Sequence, residues 1–275
     1  MEQFIVAHPD LCRAHIARQL CSLFQWHQSN GQPKERAMRD VLLRLHARGI
    51  LRLPPAGRNP FRCDARVRHD SAIEPRPAIV EPLRNLRPLR FTVAAERCDI
   101  ALFDQLLDQF HYLGAGQLIG ASVRYFVWDS NDRLLALLSF GSAAWKVAAR
   151  DQWIGWMPGQ RRKHLHLVVN NTRFLILPWV RCPHLASHIL ALCARALPMD
   201  WEFKYAYRPA LMESFVDCAR FRGTCYKAAN WMLTGITRGR GKRNGPLQRY
   251  ASSAKLVYVY PLHPQWRSSL IPSSS

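Results

Sequence analysis

Two carboxylates, Glu213 and Asp217, are the strongest candidates for chemistry in this 275-residue chain. They lie four residues apart in the segment 210–221, whose apolar spacing predicts a helix, so both side chains would share one helix face. Paired carboxylates can divide acid and base roles between them or bind Mg²⁺. They could instead be salt-bridge partners of Arg208 or Arg220, and the sequence leaves both interpretations open.

Further side chains could complete a site with this pair. His111 and Tyr112 end a predicted helix, where imidazole suits proton transfer, although a helix C-terminus also stabilises a charged histidine without catalysis. Asp151 could act as a base or only pair with Arg150, and Tyr226 follows the carboxylates within reach of the same pocket. The candidate catalytic residues are therefore His111, Tyr112, Asp151, Glu213, Asp217 and Tyr226.

The charge balance indicates a polyanionic partner. The chain has 39 Lys and Arg against 19 Asp and Glu, a net charge of +20, and no acidic residue follows Asp217. Basic side chains that neutralise phosphates release condensed counterions, which favours nucleic-acid binding. A membrane surface is disfavoured, because the chain has neither a long apolar run nor a separate basic amphipathic helix. We expect DNA, duplex or single strand, as the partner, and no membrane.

Two segments of the C-terminal half supply candidate DNA contacts. Arg173 follows Asn170 and Asn171 at a predicted strand junction, where amides and a guanidinium could read base edges or phosphates, or only form a turn. A later basic segment contributes the remaining candidates. These are Lys227, Asn230, Arg238, Arg240, Lys242 and Arg243.

Residues 1–60 are predicted to form a winged-helix-like DNA-binding domain. A first helix has Asp10 as its N-cap, a second covers 34–48 with Gly49 just beyond it, and residues 50–54 have the pattern of a short strand. The second helix would present basic side chains to DNA, with a solvated charged face as the alternative. Those side chains are Lys34, Arg36, Arg39, Arg44 and Arg48.

The rest of the chain divides into a linker and an α/β domain. Residues 54–90 hold seven of the 18 prolines, so 61–90 is predicted to be a linker or an extended strap before a domain at 91–265. The apolar residues of that domain follow the helix period of about 3.6 residues in some segments and a strand pattern in others. Strands are predicted at 91–96, 123–129, 134–145, 164–170, 173–180, 203–207 and 255–262, and helices at 99–112, 185–198 and 210–221.

No cofactor or metal can be named from the sequence. The eight cysteines form no C-x-x-C pair, and no histidine pair completes a zinc-finger pattern. A P-loop, a nucleophile elbow and a G-x-G-x-x-G fingerprint are also missing. Scattered cysteines without a signal peptide predict reduced thiols in a cytoplasmic protein.

The order of predicted elements resembles the GNAT (acetyltransferase-like) fold. RFLILPWVRCPHLASHILALCARAL is similar to that fold's central strand and the helix that follows it. Arg181 and Ala186 match the GNAT pyrophosphate-loop pattern, but His184 stands where the first glycine belongs. The resemblance therefore implies a GNAT-like mixed sheet flanked by helices, together with weak or absent acetyl-CoA binding.

A longer resemblance is to the DruA-like family, named for a component of the Druantia anti-phage system and also met in mobile-element genes. The matching text is HYLG (111–114), RDQWIGW (150–156), NNTRFLILPWV (170–180), ESFVD (213–217) and GTCYKAANW (223–231), within about 90–245; the N-terminal segment is similar as well. A local resemblance to Mom-type phage DNA-modification proteins, GNAT-like proteins that act on bases in DNA, rests on His111, Tyr112 and the text around Tyr226.

These observations lead to one functional hypothesis and two alternatives. The chain would be a DNA-acting protein of anti-phage defence or a mobile element, with a DNA-modifying or DNA-processing enzyme as its C-terminal domain. It could instead be a non-catalytic DNA-binding module that recruits other defence or transposition proteins, or an acyltransferase. An enzyme predicts that His111, Asp151, Glu213 and Tyr226 line one concavity. A flat basic face would favour binding alone.

Overall fold

The structure is a computed structural model that describes residues 1–9, 11–28, 32–54, 72–118, 120–237, 243–244, 248–249 and 253–272. Its N-terminal unit contains three helices, α1 (Glu2–Ala7), α2 (Arg13–Leu23) and α3 (Glu35–Ala47). The two longer helices were predicted, and Gly49 follows the α3 C-cap with φ +71°, as expected of a helix-terminating glycine. Their shared core is apolar. It contains Ile16, Leu20, Met38, Leu42, Leu51 and Leu53.

The strand predicted at 50–54 is wrong, and the winged-helix prediction is not confirmed. Leu51 and Leu53 are buried in a loop, whose backbone bonds to the His46 ring and, at Pro54, to the Arg13 guanidinium. The alternating leucines therefore bury side chains without a partner strand in the described part of the chain. The predicted N-cap Asp10 lies outside the described residues, and α2 has Cys12 at that position.

A seven-stranded mixed sheet is the centre of the molecule, which confirms the predicted α/β class of a mixed sheet flanked by helices. The strands are β1 (Arg90–Val93), β2 (Ser122–Trp128), β3 (Leu134–Ser142), β4 (Val168–Ile176), β5 (Leu211–Asp217), β6 (Met232–Ile236) and β9 (Lys255–Pro261). Their order in the sheet is β1-β2-β3-β4-β5-β9-β6, and of the neighbouring pairs in this sheet only β4 and β5 are parallel. Two-residue strands β7 (Arg243–Asn244) and β8 (Gln248–Arg249) pair separately.

Helices cover the sheet and connect its strands. They are α4 (Leu83–Leu86), α5 (Arg97–Phe110), α6 (Ala148–Ile154), α7 (Pro158–His164), α8 (Leu185–Tyr205), α9 (Thr224–Ala228) and α10 (Trp266–Leu270), with a 3₁₀ turn at Leu165–Leu167. Among the described residues, no helix has the length and apolarity needed to cross a membrane.

Two predicted elements in the second half of the domain are wrong. The strand predicted at 203–207 is mostly the last turn of α8, which continues through Pro198. The helix predicted at 210–221 is mainly β5. Because β5 lies between β4 and β9 with both faces covered, it needs a nearly continuous apolar run, and such a run cannot be told from a buried helix by periodicity alone.

The parallel pair β4–β5 separates partway along its length. Ladder pairing covers Val168–Leu211 to Asn171–Ser214 and then stops, although both strands continue. Next to this point the β3–β4 register skips Thr172, which forms a bulge. The separation opens a gap in the middle of the sheet.

Side chains along β5 alternate between two cores. Met212 and Val216 belong to the main core with α8 and α9, whereas Leu211 belongs to a smaller core with α6 and α10. Neighbouring residues of β5 therefore belong to different sites on the two faces of the sheet.

The proline-rich segment lies against the domain as a strap where it is described. Ile79 N donates to Trp179 O at 2.8 Å, and Arg181 N donates to Ile79 O at 2.8 Å. Leu86 is fully buried in the main core. The predicted boundaries at 60 and 90 remain predictions, since 55–71 lies outside the described residues.

Candidate functional site

The gap between β4 and β5 is a cleft with a cavity volume of about 470 Å³. Its walls come from the end of α5 and the loop after it, the diverging parts of β4 and β5, and the segment 221–226. Ala186, in the first turn of α8, also lines it. Ligands of open α/β folds commonly bind beyond the carboxyl ends of parallel strands.

A buried hydroxyl network forms the floor of the cleft. The Tyr226 hydroxyl donates to Asn171 Oδ1 at 2.8 Å and lies 3.0 Å from the Ser214 hydroxyl, which donates to it. Asn171 Nδ2 donates to the carbonyls of Ser139 and Arg173. Burial raises the pKa of Tyr226 far above its ordinary value, so this hydroxyl stays protonated and acts as a hydrogen-bond donor and not as a base.

The position of Tyr226 depends on a glycine. Gly223 precedes α9 with φ +67°, and a Cβ there would lie 2.7 Å from the ring and hydroxyl of Tyr258. That close approach lets Tyr258 stack on Tyr226, with ring centroids 5.5 Å apart. The GTCY text thus has a local structural reason for its glycine.

His111, at the C-terminal end of α5, lines the cleft as a neutral imidazole. Burial, and then the nearby Arg173 guanidinium, lower its pKa to about 4. Its Nδ1 accepts a hydrogen bond from Leu113 N at 3.2 Å, which leaves the proton of the neutral ring on Nε2. His111 therefore suits hydrogen-bond donation better than proton abstraction.

Arg173 holds the loop that carries His111 and Tyr112. Its Nε donates to Gly114 O at 2.6 Å and its Nη1 to Thr172 O at 2.8 Å. Gly116, with φ +64°, passes so close that a Cβ would lie 2.5 Å from Arg173 Nη2. The guanidinium predicted to read bases or phosphates is therefore largely occupied inside the protein.

Exposed aromatic rings form the lip of the cleft. Tyr112 and Phe221 are 37% and 51% exposed, and their ring centroids are 5.5 Å apart. The guanidinium carbon of Arg220 lies 4.9 Å from the centroid of the Tyr112 ring. We call Tyr112, Phe221 and Arg220 the aromatic lip. Phe221 was not predicted as a site residue, although an aromatic between Arg220 and Arg222 was a usable signal.

Asp217 ends β5 and shapes the turn that leads to this lip. Its Oδ1 accepts from Ala219 N at 3.0 Å, and Phe221 N donates to Asp217 O at 2.9 Å. A hydrogen bond from Ser253, and then the one from Ala219, lower its pKa. The cleft is lined by Ser214, Phe215 and Val216 of β5, and Asp217 follows them at the end of the strand.

Glu213 lies on the opposite face of the sheet from the cleft. It is fully buried, and its Oε2 accepts from Arg150 Nη1 at 2.8 Å while its Oε1 accepts from Ala144 N at 3.1 Å. Arg150 Nη2 also donates to Asp151 Oδ1 at 2.7 Å, and Asp151 accepts from Trp156 Nε1 and Arg161 Nη1. We call Arg150, Asp151 and Glu213 the buried ionic cluster.

The predicted grouping of site residues is therefore only half right. His111, Tyr112 and Tyr226 line the cleft. Asp151 and Glu213 are in the buried ionic cluster, because strand alternation sends Ser214 to the cleft and Glu213 away from it. The helix predicted for Glu213 and Asp217 is wrong, since both belong to β5, where Asp217 is the last residue of the strand.

The predicted DNA-contact residues have different surroundings. Lys34, Arg36, Arg44, Arg48, Lys227 and Asn230 are exposed. Arg39 is not an outward-facing side chain: its Nη1 donates to Lys204 O at 3.2 Å, and its guanidinium lies 5.7 Å from the Tyr205 ring. Arg238, Arg240 and Lys242 lie outside the described residues, and Arg243 is in β7.

The helix N-terminus beside the cleft has an unusual residue. His184 is the N-cap of α8 with φ +65°, a left-handed conformation that favours glycine, and its side chain is exposed.

No group of three or more His, Cys, Asp or Glu in the described part of the chain could hold a metal ion.

Several solved structures are similar to this chain at low sequence identity. A spermidine N-acetyltransferase from Vibrio cholerae, in complex with CoA and spermine, is 11% identical with a TM-score of 0.40 and covers 62% of this chain and 94% of its own. A Bacillus subtilis acetyltransferase in complex with CoA is 8% identical with a TM-score of 0.40, covering 63% and 98%. The Escherichia coli ribosomal-protein-S18-alanine N-acetyltransferase is 9% identical with a TM-score of 0.37, covering 63% and 94%. Likeness at this level concerns the fold alone.

Comparison with sequence families is more specific. No curated protein matches the chain. The family model described as "Druantia protein DruA" matches residues 62–255, which contain the strap, the sheet through the start of β9, the cleft and the buried ionic cluster. The resemblance to Mom-type proteins remains a prediction. Because the matched region is well over half of the sequence, this chain belongs to the DruA family.

Proposed function

We propose that this chain is a DNA-acting protein of anti-phage defence or a mobile element, and that its α/β domain receives an exposed base at the cleft as a DNA-modifying or DNA-processing enzyme. The observation that carries the proposal is the aromatic lip over a cavity with a polar floor. The DruA family membership supports the defence context, and the net charge of +20 supports a phosphate-bearing partner.

The lip has the composition that suits an unstacked base. Tyr112 and Phe221 offer exposed ring faces, and Arg220 adds a guanidinium that can stack or pair with phosphate. An enzyme that acts on a base must take it out of the helical stack or accept it from a single strand. Aromatic rings beside cations favour that form of the substrate over a closed duplex.

The cleft behind the lip offers hydrogen-bond partners for a base edge. His111 offers Nε2–H, and the Asn171, Ser214 and Tyr226 network lies at its floor. Its volume of about 470 Å³ is in the usual range for small-molecule sites. In this proposal the His111 Nε2–H and the remaining acceptor lone pairs of the Ser214 and Tyr226 oxygens orient a base, since the donors of the network are engaged within it.

The test measures how variants of the aromatic lip bind single-stranded DNA. Stacking on an aromatic side chain contributes about 1–3 kcal/mol per base, so Tyr112→Ala and Phe221→Ala together should weaken single-strand binding about 5- to 150-fold. Fluorescence anisotropy with a labelled 20-nucleotide strand measures this loss. Phe24→Ala, which removes an equally exposed ring (51%) from the end of α2, is the matched control. Equal affinities for the lip and control variants would reject base reception at the cleft.

A second candidate is acyl transfer, favoured by the first turn of α8 at the cleft. Backbone amides at a helix N-terminus bind phosphates, and Ala186 lines the cavity. His184 puts a side chain where close backbone approach is needed, so we expect weak or undetectable acetyl-CoA binding. Calorimetry measures it, and micromolar affinity would move the acyltransferase to first place.

A further inference from the structure

A second cavity lies where the N-terminal helices meet the end of α8. Its volume is about 760 Å³, and both parts of the chain line it. Arg18, Lys34, Arg36 and Arg39 come from the N-terminal unit, and Lys204 comes from α8. We call this cavity the composite groove.

Direct contacts fix the two walls of the groove against each other. Arg39 Nη1 donates to Lys204 O at 3.2 Å, and Gln32 Nε2 donates to Lys163 O at 3.4 Å. The Arg18 guanidinium lies 5.6 Å from the Tyr207 ring. The groove is therefore formed by the docked arrangement of the two parts and by neither alone.

Positive charge exceeds negative charge in the lining. Five cationic side chains face two carboxylates, Glu35 and Asp40. Glu35 is the nearest counter-ion, but Arg39 Nη2 is 3.5 Å from its Oε1 and Arg18 Nη1 is 3.9 Å from its Oε2. Within the described residues, that Oε1 accepts no hydrogen bond. The cations are thus incompletely neutralised by the protein.

Lys204 shows the electrostatic consequence of this crowding. Burial, and then the neighbouring Arg124 and Arg39, lower its pKa to about 8. Its Nζ donates to Ser122 O at 2.8 Å, which leaves further ammonium protons for an anion. An anion in the groove would offset the repulsion among these side chains.

We propose that the composite groove binds the sugar-phosphate backbone of DNA, with Lys34 and Arg36 at its exposed edge and Arg18 and Lys204 deeper inside. This inference rests on DNA being the partner in the proposed function. The groove differs from a recognition helix, whose contacts would be the exposed Arg44 and Arg48 on the remainder of α3.

The position of the groove gives the bound DNA a length scale. Ala186, at the cleft, and Lys204, at the groove, lie in the same helix, 18 residues apart. That separation is about 27 Å at 1.5 Å per residue, or about eight steps of duplex DNA. Backbone held at the groove would therefore keep the cleft at a set distance along the bound DNA.

Glu35 supplies a test in which affinity should increase. The carboxylate competes with phosphate for Arg18 and Arg39. Removing its charge as Glu35→Gln should tighten DNA binding by about 2-fold at pH 7, where a carboxyl with a pKa of about 7 is half ionised, and by more as the pH rises. A charged face that only contacts solvent predicts no change.

The experiment measures anisotropy of a labelled 20-base-pair duplex between 50 and 200 mM salt. Lys34→Ala with Arg36→Ala, and Lys204→Met alone, should weaken binding and lower the log–log salt slope by about 0.9 for each phosphate that the variant no longer neutralises. The control, Arg84→Ala with Arg97→Ala, removes two exposed cations that do not line the groove. It should change the affinity and the salt slope only by the small amount expected from the lower net charge. Melting temperatures check that each variant is folded.

Two outcomes overturn the groove, and they differ from failure of the function itself. A larger loss for Arg44→Ala with Arg48→Ala than for the Lys34 and Arg36 pair would favour the recognition helix. If the wild type binds DNA in a salt-dependent manner but Lys204→Met and Glu35→Gln both leave the affinity unchanged, the groove is rejected while DNA remains the partner. Wild-type protein that shows no salt-dependent DNA binding would reject the proposed function, and the groove with it.

Discussion

The two faces of β5 carry two polar clusters of different character. On one face, the buried ionic cluster uses its charges internally: the Arg150 guanidinium is fully buried and donates to Asp151, Glu213 and a backbone carbonyl. On the other, the hydroxyl network at Tyr226 faces an open cavity beneath exposed aromatic rings. Around β5, the buried charges therefore stabilise the fold, while neutral polar groups line the floor of the cleft.

The difference has a physical reason. A buried ion pair is stable only when nearly all of its donors and acceptors are satisfied, so little capacity remains for a ligand. Neutral hydroxyls and amides have a lower desolvation cost and can line a cavity while some of their hydrogen-bonding capacity stays available. The acidic residues Asp151 and Glu213, which the sequence suggested for catalysis, instead accept several hydrogen bonds within the buried ionic cluster.

The largest expected effect separates these two roles. Glu213→Ala leaves the Arg150 charge buried without one of its partners, and should lower the free energy of unfolding by about 3–5 kcal/mol. Urea denaturation measures the change. The matched control is Glu202→Ala, which breaks the exposed pair with Arg208 and should cost at most about 1 kcal/mol. A decrease below about 1 kcal/mol for Glu213→Ala would return this carboxylate to the catalytic candidates.

A smaller effect is expected on the cleft side. Tyr226→Phe removes the donor to Asn171 Oδ1 and the acceptor of the Ser214 hydroxyl, which should cost about 1–3 kcal/mol. The same urea experiment measures it. If Tyr226→Phe destabilised the chain as much as Glu213→Ala, the hydroxyl network would be a structural cluster like the ionic one.

The sequence predicted the α/β class, and three of its candidate site residues, His111, Tyr112 and Tyr226, line the cleft, for identifiable reasons. The α5 helix has clear apolar periodicity, α8 is a long apolar segment, and the β2–β3 hairpin is two apolar runs around a short polar turn, so their existence follows from local patterning. His111 was a candidate because an imidazole at a predicted helix end suits proton transfer, and Tyr226 because it follows the two carboxylates in sequence. These signals are local.

What the sequence did not reveal depends on long-range contacts. Successive side chains of β5 point to opposite faces of the sheet, and this alternation decides whether Glu213 or Ser214 faces the cleft. The alternation could not be predicted because the segment was taken for a helix. Arg39 looked outward because the docking of the N-terminal helices on α8 has no local sequence signal. The separation of β4 from β5 is likewise a property of the assembled sheet.

The pH dependence of stability should differ in direction between groups. His111 and His166 have pKa values lowered to about 4, mainly by burial, against 6.5 for an unperturbed histidine. Between pH 6.5 and 4 the unfolded chain therefore binds more protons, and these histidines destabilise the fold as pH falls. Glu35, whose pKa is raised to about 7 mainly by burial, acts in the opposite direction between pH 7 and 4.5.

Melting temperatures at pH 7.5 and 5 test these signs. Relative to wild type, His111→Gln should reduce the fall in melting temperature on acidification, and Glu35→Gln should increase it. An unchanged fall in both variants would mean that neither the cleft nor the composite groove perturbs its titratable groups.

The central claim is that DNA contacts the cleft face and not the face of the buried ionic cluster. Photo-cross-linking of a single strand containing 5-iododeoxyuridine, followed by peptide mass spectrometry, tests it directly, because that base couples efficiently to aromatic side chains in contact. Each face offers an exposed aromatic: the lip residues Tyr112 and Phe221, and Trp145 (56% exposed) beside the ionic cluster. We predict cross-links at Tyr112 or Phe221. Cross-links at Trp145, with none at the lip, would contradict the account.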